Sequence, residues 1–374
     1  MTRTILCVAG TRPEAIKMAP LILRLRQAAG IRLRVLATAQ HRDMLDQMFA
    51  VFGIRPDIDL DLMRPDQDLT TLTGRMVTAV GEVLSRERPD AVLVQGDTTT
   101  VLATALAAFY ARVPLGHVEA GLRTGDLENP FPEEMNRVLT ARIARWHFAP
   151  TEAAAAALRA EGTDPAAIHL TGNTGIDALL SMRGKGRLPA GLDAAGRLVL
   201  VTLHRRENFG APLASILLAL ERLLVEARDL SLAIPVHPNP NVRHAIEARF
   251  GTHPRVHLLP PQGYADFVAL MDRATFVMTD SGGVQEEAPA LGKPVLVLRE
   301  TTERPEAVTA GVARIVGTGT APILREALSL LTDRVAFAQM ARNVSPYGDG
   351  RASDRIVQVL LRDLAAEGAG RVAA

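Results

Sequence analysis

A chain of 374 residues exceeds the size at which one hydrophobic core usually suffices, so two domains are expected. Its 42 basic and 41 acidic residues leave a formal net charge of +1 with the signs mixed throughout, which argues against a nucleic-acid or membrane-surface protein. The single cysteine, Cys7, excludes an internal disulfide framework and a multi-cysteine zinc site, and its place in an apolar run makes it a small core residue. With no charged-then-apolar leader before the first strand and no apolar run of bilayer length, a soluble, cytoplasmic chain is expected.

Residues 5–8 form a short apolar run that ends in Gly10-Thr11-Arg12-Pro13-Glu14. Proline suits the first helical position, and a helix over 13–28 is expected with Ile16, Ala19, Leu21 and Leu25 at helical spacing. Strand, glycine turn and helix place Arg12 at the carboxyl end of a strand, where open α/β sheets bind ligands. A second strand over 33–37 is followed by Gln40-His41-Arg42 and a helix over 44–52, then a longer helix over 69–88. The strand at 91–94 ends in Gln95-Gly96-Asp97 and three threonines, and an alanine-rich helix runs on to Tyr110. A strand over 115–118 delivers Glu119, and the loop through Pro130-Phe131-Pro132 opens a helix over 133–144. A strand over 146–149 and a helix over 152–161 continue the β-α-β pattern.

The Gly- and Pro-containing stretch 183–197 is the candidate linker. Beyond it the alternation restarts, with a strand over 198–202 ending in His204-Arg205-Arg206 and a helix over 211–227. Strands over 231–236 and 255–259 end in His237-Pro238-Asn239-Pro240 and Pro260-Pro261-Gln262, and a helix over 266–273 follows. The apolar run 275–278 closes on Asp280-Ser281-Gly282-Gly283, with a helix over 284–291, a strand over 294–298 and a polar loop to Arg304. Later helices are expected over 322–331, 336–340 and 353–366. The fold class is therefore α/β, with two doubly wound Rossmann-like domains facing a cleft. The boundaries are 1–182 for the first domain, 183–197 for the linker, 198–352 for the second domain, and a terminal helix in 353–374 packing back toward the first.

The polar groups at strand ends carry the chemistry. In Ser281-Gly282-Gly283 the glycines let the backbone approach a ligand, and the helix start points unpaired N–H groups and a positive dipole end at it. That reads as a phosphate site, with Glu286 and Glu287 in the first helical turn suited to a ribose and Arg304 within reach of a phosphate. The plain alternative is an ordinary β-α turn. Asp97, Glu119 and Glu133 are three carboxylates suited to acid–base work. Asp97 has the plain alternative of a helix N-cap, and Glu133 with Glu134 that of acids favouring a helix start. Glu119, between Val118 and Ala120, is harder to place as a surface group. His204 beside two arginines leans to the neutral form or to an anion partner. His41, His204 and His237 follow different strands and suit anions better than a metal. Gly317-Thr318-Gly319 lacks the third glycine of a dinucleotide fingerprint, and there is no P-loop and no spaced His/Cys set, so neither a nicotinamide cofactor nor a metal is expected.

The stretches GTRPEAIKMAPL (10–21), QHRDMLDQ (40–47), QGDTTT (95–100), HVEAGLRTGD (117–126), FPEEMNR (131–137), TGNTGIDAL (171–179), HRREN (204–208), TDSGGVQEEAP (279–289) and TTERPEAV (301–308) resemble, in order and spacing, the bacterial non-hydrolysing UDP-N-acetylglucosamine 2-epimerases. The resemblance covers about residues 4–355. It implies a glycosyltransferase-B type fold and interconversion of UDP-GlcNAc with UDP-ManNAc for surface polysaccharides, with no metal or nicotinamide, in a homodimer. By position, Arg12, His204, Ser281, Gly283 and Arg304 match the diphosphate contacts, and Lys17 and Gly282 are expected among the substrate-binding residues. Gln262 and Phe267 match the uracil side and Glu287 the ribose contact. Asp97, Glu119 and Glu133, with His204, match the catalytic set. Gln40, His41, Arg205 and His237 resemble positions that hold a second UDP-GlcNAc as activator in some members, although Asp66 stands where some of those have arginine. A glycosyltransferase of the same architecture would leave three carboxylates in the first domain unexplained.

Overall fold

A computed structural model of the chain describes residues 2–38, 42–64, 67–192 and 196–372. Two compact units emerge. The first comprises Met1–Ser181 with Tyr347–Ala374, and the second Met182–Pro346.

The first unit runs β1 (Arg3–Ala9), α1 (Arg12–Arg26), β2 (Ile31–Ala37), α2 (Arg42–Val51), β3 (Ile58–Asp59), α3 (Leu69–Glu87), β4 (Ala91–Gln95), α4 (Thr99–Tyr110), β5 (Leu115–Val118), α5 (Glu133–Ile143), β6 (Trp146–Ala149), α6 (Glu152–Ala160), β7 (Ile168–Leu170) and α7 (Thr174–Met182). Its seven strands are all parallel, in the order β3-β2-β1-β4-β5-β6-β7. Ile5, Leu6, Val92 and Leu93 are fully buried, as expected of strands covered on both faces, so their sequences are continuous apolar runs rather than alternations. Helix α1 starts sharply because Thr11 and Glu14 form a capping box, with proline in the first turn.

The second unit runs β8 (Arg197–Thr202), α8 (Ala211–Glu226), β9 (Leu230–Pro235), α9 (Pro240–Phe250), β10 (Val256–Leu259), α10 (Tyr264–Arg273), β11 (Phe276–Thr279), α11 (Gly282–Ala290), β12 (Val295–Val297), α12 (Pro305–Thr309), β13 (Ala313–Ile315), α13 (Thr320–Thr332) and α14 (Arg334–Met340). Its sheet order is β10-β9-β8-β11-β12-β13, again all parallel. The crossover direction reverses between β1 and β4 in the first sheet and between β8 and β11 in the second. Loops diverge at such switch points and leave a crevice at the carboxyl ends of the strands. Arg12 and Asp97 flank the first switch point, and His204 and Ser281 the second.

Several short elements differ from the sequence expectation. Strands β3, β7 and β13 have two or three residues and lie at or toward sheet edges, too short to show a period. Helix α9 hides behind Pro238-Asn239-Pro240, which reads as a turn, yet Asn239 caps the helix by accepting the Asn241 N–H at 3.0 Å and Pro240 supplies its first position. The stretch beginning at 183 lies against the second unit. Arg183 pairs with Asp272 at 3.0 Å, and the Arg187 N–H donates to Asp266 at 2.8 Å. The returning segment of the first unit begins at Tyr347, before the expected terminal helix, because the Asn173 N–H donates to the Tyr347 carbonyl at 2.6 Å. Helix α15 (Ala352–Val372) then docks by its N-terminus, where the N–H groups of Ala352 and Ser353 donate to buried Asp177 at 3.1 and 2.7 Å. Trp146 donates its indole N–H to Asp363 at 2.8 Å further along that helix. No helix among the described residues is long and apolar enough to cross a membrane.

Candidate active site

In the first unit the site is built on the ends of β4 and β5. Glu119 takes a positive φ of 64°, a left-handed conformation uncommon for a side-chain-bearing residue, and such strain clusters at functional sites. The turn is enforced two residues on. A Cβ at Gly121 (φ +92°) would sit 2.3 Å from the Ala154 carbonyl oxygen. So turned, the Glu119 carboxylate is 8% exposed at the residue level and receives Lys17 Nζ at 2.7 and 2.6 Å on its two oxygens. Gln95, the last residue of β4, donates its amide to the same carboxylate. A buried carboxylate needs such partners, and here α1 and β4 fix its orientation.

Asp97 is not the helix cap, since Thr98 takes that position. The Asp97 carboxylate instead accepts Arg137 Nε and Nη2 at 2.9 and 2.6 Å, while Asn136 donates to its backbone carbonyl at 2.8 Å. Arg137 also reaches Glu134 at 2.9 Å, and Glu134 accepts the Thr124 and Gly125 N–H groups at 3.0 and 3.1 Å. Burial opposes the charged form of Glu134, but the two backbone donors and Arg137 hold its carboxyl below the usual range. Glu133, first in α5, is half-buried and has no side-chain partner among the described residues. Arg12 is likewise half-buried without a side-chain partner there.

Behind this site lie groups that set its rigidity. Buried Glu14 accepts the Gly10 and Thr11 N–H groups at 2.6 and 2.7 Å and the Thr98 hydroxyl at 2.5 Å, tying the loop of Arg12 to that of Asp97. His117 donates Nε2–H to the Gly96 carbonyl at 2.7 Å, next to Asp97, and faces His147 on the adjacent strand. Burial pushes both imidazoles down to about 4, with His117 adding to the effect on His147. The folded state therefore refuses protons that the unfolded chain accepts below its ordinary histidine range. This stability is fully present above about pH 6.5 and is lost as pH falls toward 4, at roughly 3 kcal/mol per histidine. The urea midpoint should fall between pH 7 and 4.5, and fall less in His147→Gln; a flat midpoint across that window would contradict the assignment.

In the second unit the organising group is Asp280, whose relative exposure is 0%. It accepts the backbone N–H groups of His204 and Arg205, each at 3.0 Å, and the Asn208 amide at 3.1 Å, and it lies 3.0 Å from His204 Nδ1. Burial resists the charge, but these donors hold the Asp280 carboxyl below its usual range. The loop after β8 is thereby folded onto the residue preceding Ser281, the N-cap of α11. The Ser281 hydroxyl makes no capping bond to its own helix. A Cβ at Gly282 would lie 3.7 Å from Arg205 Nη2, and one at Gly283 would meet open space, so the Arg205 guanidinium lies along the turn. Arg205 Nε is buried without a hydrogen-bond partner among the described residues. The site thus gathers a helix N-terminus, an arginine and an imidazole, a set suited to an anion.

One expectation is corrected in detail. Helix α11 begins at Gly282, so Glu286 and Glu287 occupy its second turn rather than its first. Arg304 pairs with Glu286, and Glu287 accepts the Tyr264 hydroxyl at 3.0 Å, which ties it to α10, the helix of Phe267. Gln262, just before that helix, donates to the Pro260 carbonyl at 2.6 Å. The His237 ring centroid lies 5.9 Å from that of His204, near the anion turn. Gln40, His41 and Asp66 lie outside the described residues.

Comparison with known proteins supplies the rest. A family model described as UDP-N-acetylglucosamine 2-epimerase matches residues 23–361. The chain belongs to the UDP-N-acetylglucosamine 2-epimerase family. It is 50% identical over 367 residues to the Escherichia coli K12 UDP-N-acetylglucosamine 2-epimerase, covering 95% of this chain and 98% of that one. The Bacillus subtilis UDP-N-acetylglucosamine 2-epimerase is 49% identical over 359 residues, covering 96% and 94% of the two chains. The Neisseria meningitidis UDP-GlcNAc 2-epimerase, solved bound to UDP-GlcNAc, superposes with a TM-score of 0.87 at 46% identity, covering 96% of this chain and 100% of that one. This is a family of isomerases, and the two doubly wound units have its glycosyltransferase-B type fold. Against the residues expected from the epimerase motifs, the structure adds Gln95, Arg137 and Asp280. Each had a trace in sequence: a polar residue closing an apolar strand, or a cation three and four residues after two acids on one helix.

Proposed function

We propose that this chain interconverts UDP-N-acetylglucosamine and UDP-N-acetylmannosamine at C2, through elimination of UDP to a 2-acetamidoglucal and its re-addition. The product would feed surface polysaccharide synthesis from the cytoplasm, and the working form would be a homodimer, as the motif resemblance implies. The observation that carries the reading is the pair of oriented carboxylates at the ends of β4 and β5. Glu119 is clamped by Lys17 and Gln95, and Asp97 by Arg137. Simple binding of a sugar does not require two carboxylates so held, whereas moving a proton on and off carbon does. The diphosphate is assigned to Ser281, Gly282, Gly283, His204, Arg304 and Arg12, and the ribose and uracil to Glu287, Gln262 and Phe267. A time course by proton NMR with UDP-GlcNAc as sole substrate tests this. Appearance of UDP-ManNAc is expected. Release of free ManNAc with UDP would identify a hydrolysing enzyme, and an unchanged spectrum a nucleotide-sugar sensor.

UDP alone should bind and raise the melting temperature by linkage. Arg304→Ala should weaken that binding through loss of a charge-assisted contact of roughly 1.5–3 kcal/mol. The Glu286–Arg304 pair orients the guanidinium in advance, which supports this assignment. Unchanged UDP affinity in Arg304→Ala, with turnover lost, would remove Arg304 from the phosphate site. We also infer that a second UDP-GlcNAc acts as activator through Arg205 and His237 with Gln40 and His41. The reverse reaction from pure UDP-ManNAc should then show a lag that a trace of UDP-GlcNAc abolishes; a reverse reaction without lag counts against an activator.

A further inference from the structure

Asp280 has no exposed surface and so cannot touch a substrate, yet its two oxygens take hydrogen bonds from three donors of one loop and also face a ring nitrogen of that loop. The three donors, the N–H groups of His204 and Arg205 and the amide of Asn208, would suffice to tie the loop to the end of β11. The further contact, at 3.0 Å, is from Nδ1 of the His204 ring itself. A carboxylate held in its charged form only accepts hydrogen bonds, so the ring nitrogen facing it, Nδ1, must carry a proton. That leaves Nε2 as the ring nitrogen free to meet a ligand. The residue after Asp280 is Ser281, the cap of α11, so one buried side chain sets both the imidazole and the start of the anion-binding helix.

We propose that Asp280 is a positioning residue for the epimerase reaction, fixing the His204 ring through Nδ1–H so that Nε2 faces the diphosphate, to which it donates a hydrogen bond when a proton taken up with the nucleotide makes the ring an imidazolium. This rests on the reading of function above, because it assigns His204 to the departing and returning UDP. The Asp280–His204 contact does for the leaving group what Lys17 and Gln95 do for Glu119. It removes the rotational and tautomeric freedom that the ring would otherwise lose in the transition state. The His237 ring, 5.9 Å away, bounds the imidazole as a second aromatic neighbour.

Two measurements test this. In the first, turnover of UDP-GlcNAc is compared in wild type, Asp280→Asn, His204→Gln and the double variant, with melting temperatures recorded for each. Asp280→Asn should lower kcat by about tenfold or more with KM changed by less than about threefold, and should add less than about twofold in the His204→Gln background. Equal factors in both backgrounds would mean that Asp280 only braces the loop, and would overturn the proposal. The second measurement does not depend on any variant folding. In the full-length wild-type protein, labelled with ¹⁵N-histidine and assigned by loss of the signal in His204→Gln, His204 should show a protonated Nδ1 with or without UDP. A bare Nδ1 with the proton on Nε2 would also overturn the proposal. Absence of wild-type turnover would instead contradict the reading of function, and the tautomer measurement stands apart from that outcome.

Discussion

Glu119→Gln is expected to lower turnover of UDP-GlcNAc by roughly 10²-fold or more while leaving UDP affinity within about twofold. The amide has the shape of the carboxylate and can keep one contact to Lys17 through its oxygen. It cannot take a proton from carbon. Removing the charge also leaves Lys17 without its anion, which in a fully buried pair costs several kcal/mol. Lys17 is 21% exposed at its side chain, so its ammonium can be partly rehydrated and the loss of fold stability should be smaller. The UDP contacts assigned to Ser281, Gly282, Gly283 and Arg304 belong to the other unit and are untouched, which is why affinity and turnover should separate. Asp97→Asn should behave alike, because Arg137 retains Glu134 as a partner. Initial rates by NMR and UDP titration by calorimetry provide the two numbers. Turnover of Glu119→Gln within tenfold of wild type would remove this carboxylate from proton transfer.

The contrast between what the sequence disclosed and what it hid follows from the physics of parallel sheets. Strands β1, β4, β5, β8 and β11 are buried on both faces, so each appears as an apolar run, and the turns that follow them carry polar residues at the carboxyl ends, where sheets of this kind bind ligands. An acid at such a point, as at Asp97 or Glu119, stands out against its neighbours. The edge strands Ile58–Asp59 and Ile168–Leu170 are too short for any pattern, and they become strands only because a neighbour offers its free hydrogen-bonding edge. Partners across the sheet were equally hidden. Gln95 meets Glu119 because β4 and β5 are paired with Gln95 opposite Val118, a register that one sequence does not display. Asp280 meets His204 because β8 and β11 are neighbours although 76 positions separate the two residues. The misplacement of Glu286 and Glu287 has a local cause. Two glycines look like a turn, whereas here they are the first two residues of the helix, where absent side chains leave the N-terminal N–H groups open.

In deuterated water the epimerised product is expected to carry deuterium at C2 in every molecule that has turned over. The hydrogen on C2 has no carbonyl next to it in the ring, so direct removal at neutral pH faces a prohibitive barrier. If the C1–O bond breaks first, its electron pair leaves with UDP and positive character develops at C1. The C2–H bond then weakens, a carboxylate among Asp97, Glu119 and Glu133 takes the proton, and the electrons of that bond form the C1–C2 double bond of the glycal. Arg12, His204, Arg304 and the N-terminus of α11 would stabilise the departing diphosphate, the kind of electrostatic contribution that is usually the largest in such reactions. Reversal on the other face delivers a proton to C2 as a UDP oxygen rejoins C1. Two faces would need two proton-handling groups, which would account for the several carboxylates in one unit. Solvent deuterium reaches C2 if the abstracting carboxylate exchanges its proton or if a second group delivers the new one. An oxygen label in the C1–O–P bridge should scramble into the non-bridging positions over the same turnovers, because free rotation of the released phosphate makes its oxygens equivalent. Mass spectrometry of the product reads the deuterium and ³¹P NMR isotope shifts read the oxygen. Retention of the original C2 hydrogen in deuterated water would falsify elimination through a glycal and require a hydride transfer in its place.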